Sequence, residues 1–125
     1  MKKGLIEKEG WIESEYLPQG WLTKSYIFPR KRDDRFLNTK FELLKGKSMG
    51  LKELLYKGYT NREISNFISG FIEEQYEPDA IVWEDDSRIP NGWKVGSVQD
   101  NKLYVMPSGH IATIKKTVKR NVKSS

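Results

Sequence analysis

All four tryptophans of the chain belong to two copies of one phrase. Trp11 to Trp21 reads WIESEYLPQGW, and Trp83 to Trp93 reads WEDDSRIPNGW. In each, Trp precedes an acidic run, and an aliphatic-Pro-amide-Gly-Trp stretch closes the phrase. The residues downstream of each phrase are alike too. GWLTKSYIF and FLNTKFELL read as strands from their β-branched and aromatic content, with PRKRDDR as a basic loop between them. KGK is a turn. SMGLKELLYKG then reads as a helix with Met49, Leu51, Leu54 and Leu55 on one face and Gly58 as its stop. In the second copy GWKVGSV and KLYVM read as strands joined by Gln99-Asp100-Asn101, and PSG is a turn. Ile111, Ile114, Val118 and Val122 form a helical stripe that sets Leu51 and Leu55 opposite Ile114 and Val118. Aligned on Gly46 and Gly109, the second copy is about nine residues shorter, and the gap falls in the first strand-to-strand loop.

A repeated supersecondary unit at this spacing implies duplication. The expected fold is α+β, two small antiparallel-sheet-plus-helix units in tandem. The first unit covers 11–58, with the basic loop at 29–35. A capped helix and acidic linker cover 59–82, and the second, shorter unit covers 83–125. Thr60-Asn61-Arg62-Glu63 is a capping box that opens a helix with Ile64, Phe67, Ile68, Phe71 and Ile72 inside, ending before Pro78. AIVW is a short extended segment. Trp21 and Trp93, each after Gly at a strand start, are expected in the core or at its edge. Trp11 and Trp83 either cap the core or offer an aromatic surface, with packing favoured.

Apolar residues are only 37% of the chain, so each core must be small. No run is long and apolar enough to span a membrane, and MKKGLIEKEG lacks the apolar centre of a signal peptide. Cysteine is absent, which removes disulfides and thiolate metal sites. His110 is the only histidine, so a metal centre has no support, and no cofactor is expected. Asp85-Asp86 and Glu73-Glu74 have neither a nucleophile nor oxyanion donors beside them, and no phosphate loop or nucleophile elbow is present. The chain is read as non-enzymatic.

The charge is +5, and it is segregated. Lys24, Arg30, Lys31, Arg32, Arg35 and Lys40 cluster against Asp33 and Asp34. From Glu73 to Asp86 there are seven acids and no base. Lys115, Lys116, Lys119, Arg120 and Lys123 close the chain without an acid. Such clusters suit phosphate. A solvated lysine-rich surface produces the same pattern, and cations at a helix C-terminus also satisfy its dipole.

IPNGWKVGSV and KLYVMPSGH together resemble the methyl-CpG-binding domain. That family opens on Pro-x-Gly-Trp, runs through a strand and loop, then an aromatic strand, a Ser-Pro-x-Gly-Lys turn and a helix. Tyr104 and Val105 stand in the aromatic strand, Pro107-Ser108-Gly109 in the turn, and His110 replaces the lysine. In the first copy LPQGW matches, Phe41 sits in the aromatic strand, and Gly46-Lys47 ends the turn; ISNFISGF resembles a later segment. The likeness covers about 17–71 and 89–122. In the family a strand pair and its loop enter the major groove, and arginines read guanine. Here Ser48-Met49 and Ala112-Thr113 stand where the family has arginine, and Asn38 and Asn101 where it has aspartate. The resemblance therefore implies binding to double-stranded DNA without methyl-CpG selectivity. It implies a chromatin-associated, nuclear role in transcription regulation, with Lys24, Arg30, Lys31, Arg32, Arg35, Lys40, Lys47, Lys115, Lys116, Lys119 and Arg120 on phosphates. The alternative is a scaffold in a nuclear complex, where the acidic linker with Trp11 and Trp83 meets a histone tail or another basic subunit. A third reading takes LKELLYKGYTNREISNFI as the start of a helix-turn-helix. That motif needs a basic third helix, and SGFIEEQYEPD is acidic.

Overall fold

In the computed structural model, which describes residues 10–85 and 87–115, the two Trp phrases fold the same way. The Trp21 amide donates to the Pro18 carbonyl at 3.1 Å, and the Trp93 amide to that of Pro90 at 3.2 Å. Gly20 and Gly92 take φ of 91° and 86°. A four-residue turn with positive φ at its third position selects Gly there, so the motif is first of all a turn.

Each turn launches a meander. In the first half β1 (Leu22–Phe28), β2 (Lys31–Leu37) and β3 (Leu43–Lys45) pair antiparallel in chain order. The residue after Trp11 adds an edge bridge, Ile12 to Thr23. The chain then enters α1 (Lys47–Lys57), which ends on Gly58 in the left-handed region. Thr60 caps α2 (Asn61–Phe67), and both hydrogen bonds of the capping box are present. α2 runs on into a π turn, Ile68–Ile72, and a 3₁₀ turn, Pro78–Ala80. In the second half β4 (Val82–Trp83), β5 (Lys94–Val98), β6 (Asn101–Val105) and β7 (Ile111–Lys115) form a four-stranded meander. The α+β class and its two small sheets are as expected.

Three local expectations are corrected. FLNTKFELL is not one strand: β2 ends at Leu37, and residues 38–42, Phe41 among them, loop back to β3. The basic segment 29–35 is not a loop. Only Pro29 and Arg30 turn, and Lys31 onward is strand. Residues of β2 alternate between two environments, and β1 supplies a ladder partner for each, which composition cannot show. The described part of the expected C-terminal helix is likewise a strand, β7, with Ile114 exposed on it. Val118 and Val122 lie outside the described residues.

The cause is a shift in the repeat. Met106 and His110 close a loop with amide-to-carbonyl bonds, Met106 to His110 at 2.8 Å and Gly109 to Met106 at 2.9 Å. The matching bonds in the first half are Asn38 to Glu42 at 3.3 Å and Phe41 to Asn38 at 2.9 Å. Gly109 has φ 93°, and Phe41, unusually for its type, 61°. So Gly109 corresponds to Phe41, not to Gly46, and the segment after it corresponds to β3. The first hairpin has seven-residue strands and the second five. The copies thus differ by two residues per strand, four in all, rather than nine.

One core joins the halves. Phe36 meets Phe67 and Phe71 with ring centroids 5.1 and 5.0 Å apart, and Leu51, Leu54, Ile64, Ile68, Leu103 and Val105 are buried in the same cluster. Trp21 is buried there and its indole N–H donates to the Tyr59 hydroxyl at 3.1 Å. Trp83 is half-buried and donates to Ser65 Oγ at 2.7 Å. Trp11 packs in a small separate cluster with Leu22 and Leu37. Trp93 is half-buried. Trp11, Trp21 and Trp83 are packing residues, as the sequence reading favoured.

Candidate nucleic-acid interface

β3 pairs only with Arg35, Phe36 and Leu37, and the edge bridge reaches only Thr23. Beyond these, β1 and β2 continue as a two-stranded ribbon to the Phe28–Lys31 pair. The Gly46 amide, just after β3, still donates to the Asp34 carbonyl at 2.9 Å, so the free ribbon begins at Asp33 and, at ~3.4 Å per residue, projects roughly 10 Å. Pro29 opens the tip turn, where its fixed φ fits.

The register sorts the charges onto two faces. On the outer face lie Lys24 opposite Arg35, Tyr26 opposite Asp33, and Phe28 opposite Lys31. Lys24 Nζ and Arg35 Cζ sit 5.1 and 4.9 Å from the Tyr26 ring centroid, and Lys31 Nζ 5.4 Å from that of Phe28. These are cation–π distances. Arg35 also pairs with Asp33 at 3.0 Å. Lys45, opposite Arg35 on β3 and exposed, extends the cationic row across three strands.

The inner face holds Asp34, whose side chain is 1% exposed. Its Oδ1 accepts from Ser25 Oγ at 2.6 Å and Arg32 Nε at 3.0 Å, and Lys47 Nζ stands 3.6 Å from Oδ2. A buried carboxylate without such partners is unfavourable by several kcal/mol, on the order of the penalty for an unpaired buried ion. Arg32 and Lys47 therefore hold the ribbon root to the start of α1 as well as adding charge.

Of the sequence-derived cations, the structure gathers Lys24, Lys31 and Arg35 on one face, with Arg30 exposed at the tip. Arg32 and Lys47 meet around Asp34. Lys40 lies in the 38–42 loop, at the opposite end of β2 from the tip. Lys115 ends β7 in the other half; Lys116, Lys119 and Arg120 lie outside the described residues. Sequence reasoning missed Lys45, Tyr26, Ile27 and Phe28. YIF and KRD are each unbroken runs without alternation, so only the strand register shows that they face one another.

Counting back from Gly46 matches Asn38 to Asn101; in the shifted register the counterpart of Asn101 is Asp33, which pairs with Arg35, and both asparagines are engaged inside the protein. Asn38 Nδ2 donates to Glu42 and Glu53 at 2.8 and 3.0 Å, and its Oδ1 accepts the Lys40 and Glu42 amides. Asn101 donates to the Tyr76 hydroxyl. The second hairpin turns through Gln99 and Asp100 and carries no arginine. Between α2 and β4 the described residues hold only the π and 3₁₀ turns, so no third basic helix follows the α1–α2 pair. Among the described residues no group of acids and histidine could hold a metal ion, and no helix is long and apolar enough to cross a membrane. Comparison with family models, with curated proteins and with solved structures returned no match.

Proposed function

We propose that the chain is a non-enzymatic module that binds double-stranded DNA, mainly through phosphates, as a chromatin-associated nuclear factor. The observation that carries this reading is the projecting ribbon. Residues 24–35 bring five cations against two carboxylates, and both carboxylates are already paired within the ribbon. A two-stranded β-ribbon fits a duplex groove, and cations along its flanks reach phosphates on either side. Lys24, Arg35 and Lys45 are the flank, and Arg30 and Lys31 the tip. The likeness of the Pro-x-Gly-Trp units to the methyl-CpG-binding domain points the same way. The missing arginines argue against methylation selectivity.

The test is a salt-series titration of methylated, unmethylated and mismatched duplexes. Affinity falls steeply with salt, and Arg30→Ala and Lys31→Ala each lower the log–log slope by about 1. Methylation changes affinity less than about tenfold, or ~1.4 kcal/mol. Salt-independent binding overturns the reading.

A scaffold role has one observation in its favour: an open cleft of about 290 Å³ lined by Trp83, Trp93, Glu84 and Asp85, which suits a basic peptide. In that case partner binding ignores Arg30→Ala and Lys31→Ala.

A further inference from the structure

The two hairpins share one register, and their difference in length is confined to the tip. Leu22 opposite Leu37 corresponds to Lys94 opposite Val105, and Tyr26 opposite Asp33 to Val98 opposite Asn101. The first hairpin then adds two further pairs, Ile27 opposite Arg32 and Phe28 opposite Lys31. Each added pair couples one large apolar side chain to one cation.

These apolar side chains lie outside the core, and Lys31 Nζ stands over the Phe28 ring. Ile27 is 80% exposed and Phe28 47%, and neither belongs to a buried cluster. Pro29, next in the chain, is exposed as well. Ile27 and Phe28 are consecutive on β1, so they cover opposite faces of the ribbon's end, and large exposed apolar side chains on both faces there lack a structural reason. The lysine and arginine facing them give the tip the chemistry of a phosphate-lined target rather than of an apolar partner.

We propose that the ribbon tip, with Ile27 on one face and Phe28 on the other, is a wedge that enters a base step of bound DNA, one apolar face toward each base pair, unstacks it and bends the duplex. Apolar side chains between base steps act in this way, and their work is least where stacking is already broken. Arg30 at the tip and Lys31 across the strand neutralise the phosphates that flank the opened step. Lys24, Arg35 and Lys45 hold the backbone further along. The inference rests on the duplex-binding reading and adds a preference to it: for duplexes that are mismatched or nicked over duplexes that are intact.

The experiment uses the full chain and three probes: an intact duplex, the same duplex with one central mismatch, and an end-labelled duplex whose energy transfer reports bending. The mismatched duplex binds about tenfold tighter, and energy transfer rises on binding. The double variant Ile27→Ser, Phe28→Ser loses both effects yet binds intact duplex within about threefold of the parent, since phosphate contacts are kept. An unchanged melting temperature shows that the variant folds. A variant that still bends DNA and prefers the mismatch overturns the wedge, as does a parent that does neither while binding duplex in a salt-dependent way. Binding to vesicles of anionic phospholipid that depends on Ile27 and Phe28, with no mismatch preference, assigns the tip to a membrane surface and also overturns it. Absence of salt-dependent duplex binding removes the DNA reading itself, and the wedge with it.

Discussion

The first and second sheets share turn, register and loop, yet they bury opposite faces. In the first, Phe36 and Leu44 point into the common core, and the face with Leu22, Leu37 and Trp11 is left to a small cluster of its own. In the second, the counterparts of Phe36 and Leu44 are Tyr104, half-buried, and Ala112, exposed. There Leu103 and Val105 enter the core, together with Trp83, the counterpart of Trp11. Val95, on the other face, is buried outside that cluster. A strand offers two faces at alternate residues, so a duplicated unit can be used either way round once its pattern is retuned. The outer face of the first sheet is thereby left open, and it is the face that carries Lys24, Tyr26, Phe28, Lys31 and Arg35.

Substitutions at matched positions test this inversion. Phe36→Ala removes a ring between Phe67 and Phe71 and lowers stability by about 3–5 kcal/mol in urea unfolding. Tyr104→Ala, at the matching position, costs less than half as much, and equal losses contradict opposite burial. The loops give the next largest contrast. A Cβ on Gly109 would come 1.9 Å from the Ser48 carbonyl oxygen of α1, and its φ of 93° disfavours any side chain. Gly109→Ala therefore costs roughly 3 kcal/mol, strain and displacement combined. Phe41→Gly relieves positive φ at the matching site while losing a half-exposed ring, and changes stability by about 1 kcal/mol or less. Thermal melts of the two variants check the shifted alignment, and comparable losses restore Gly46 as the counterpart.

The smallest contrast is electrostatic. Ser25 donates to buried Asp34, and its counterpart Ser97 to Glu84, which also pairs with Lys102 at 3.3 Å. Lys102 stands at the place of Asp34, so the sheets hold a carboxylate on different strands. Asp34→Ala removes the acceptor for Ser25 and Arg32 and costs about 2 kcal/mol, whereas Glu84→Ala, on a partly exposed ion pair, costs about 0.5–1 kcal/mol. Denaturant midpoints in 0.1 and 1 M salt, ionic strengths at which screening differs, separate the two because the exposed pair is the more screened.

Features closed by hydrogen bonds among near neighbours were legible without coordinates. The two Pro-x-Gly-Trp turns, the Thr60–Glu63 capping box and the Gly58 helix stop each depend on residues three or four apart. Each asks for a specific residue type, such as Gly for positive φ or Thr and Glu for orphan amides. The repeat was visible for the same reason, since its turns preserve those residues. Features that depend on a distant partner were not. Lys31 to Arg35 became strand because β1 lies alongside; Lys31, Arg32 and Arg35 keep contact with water while buried Asp34 is paired by Ser25 and Arg32. Ile111 to Lys115 became strand because the Gly109 turn returns it to β6, whose open edge satisfies its amides. The spacing of Ile111 and Ile114 fits a helix equally well. Only tertiary structure chose which face of each sheet to bury, because both faces carry apolar residues and the choice rests on what α1 and α2 present to them.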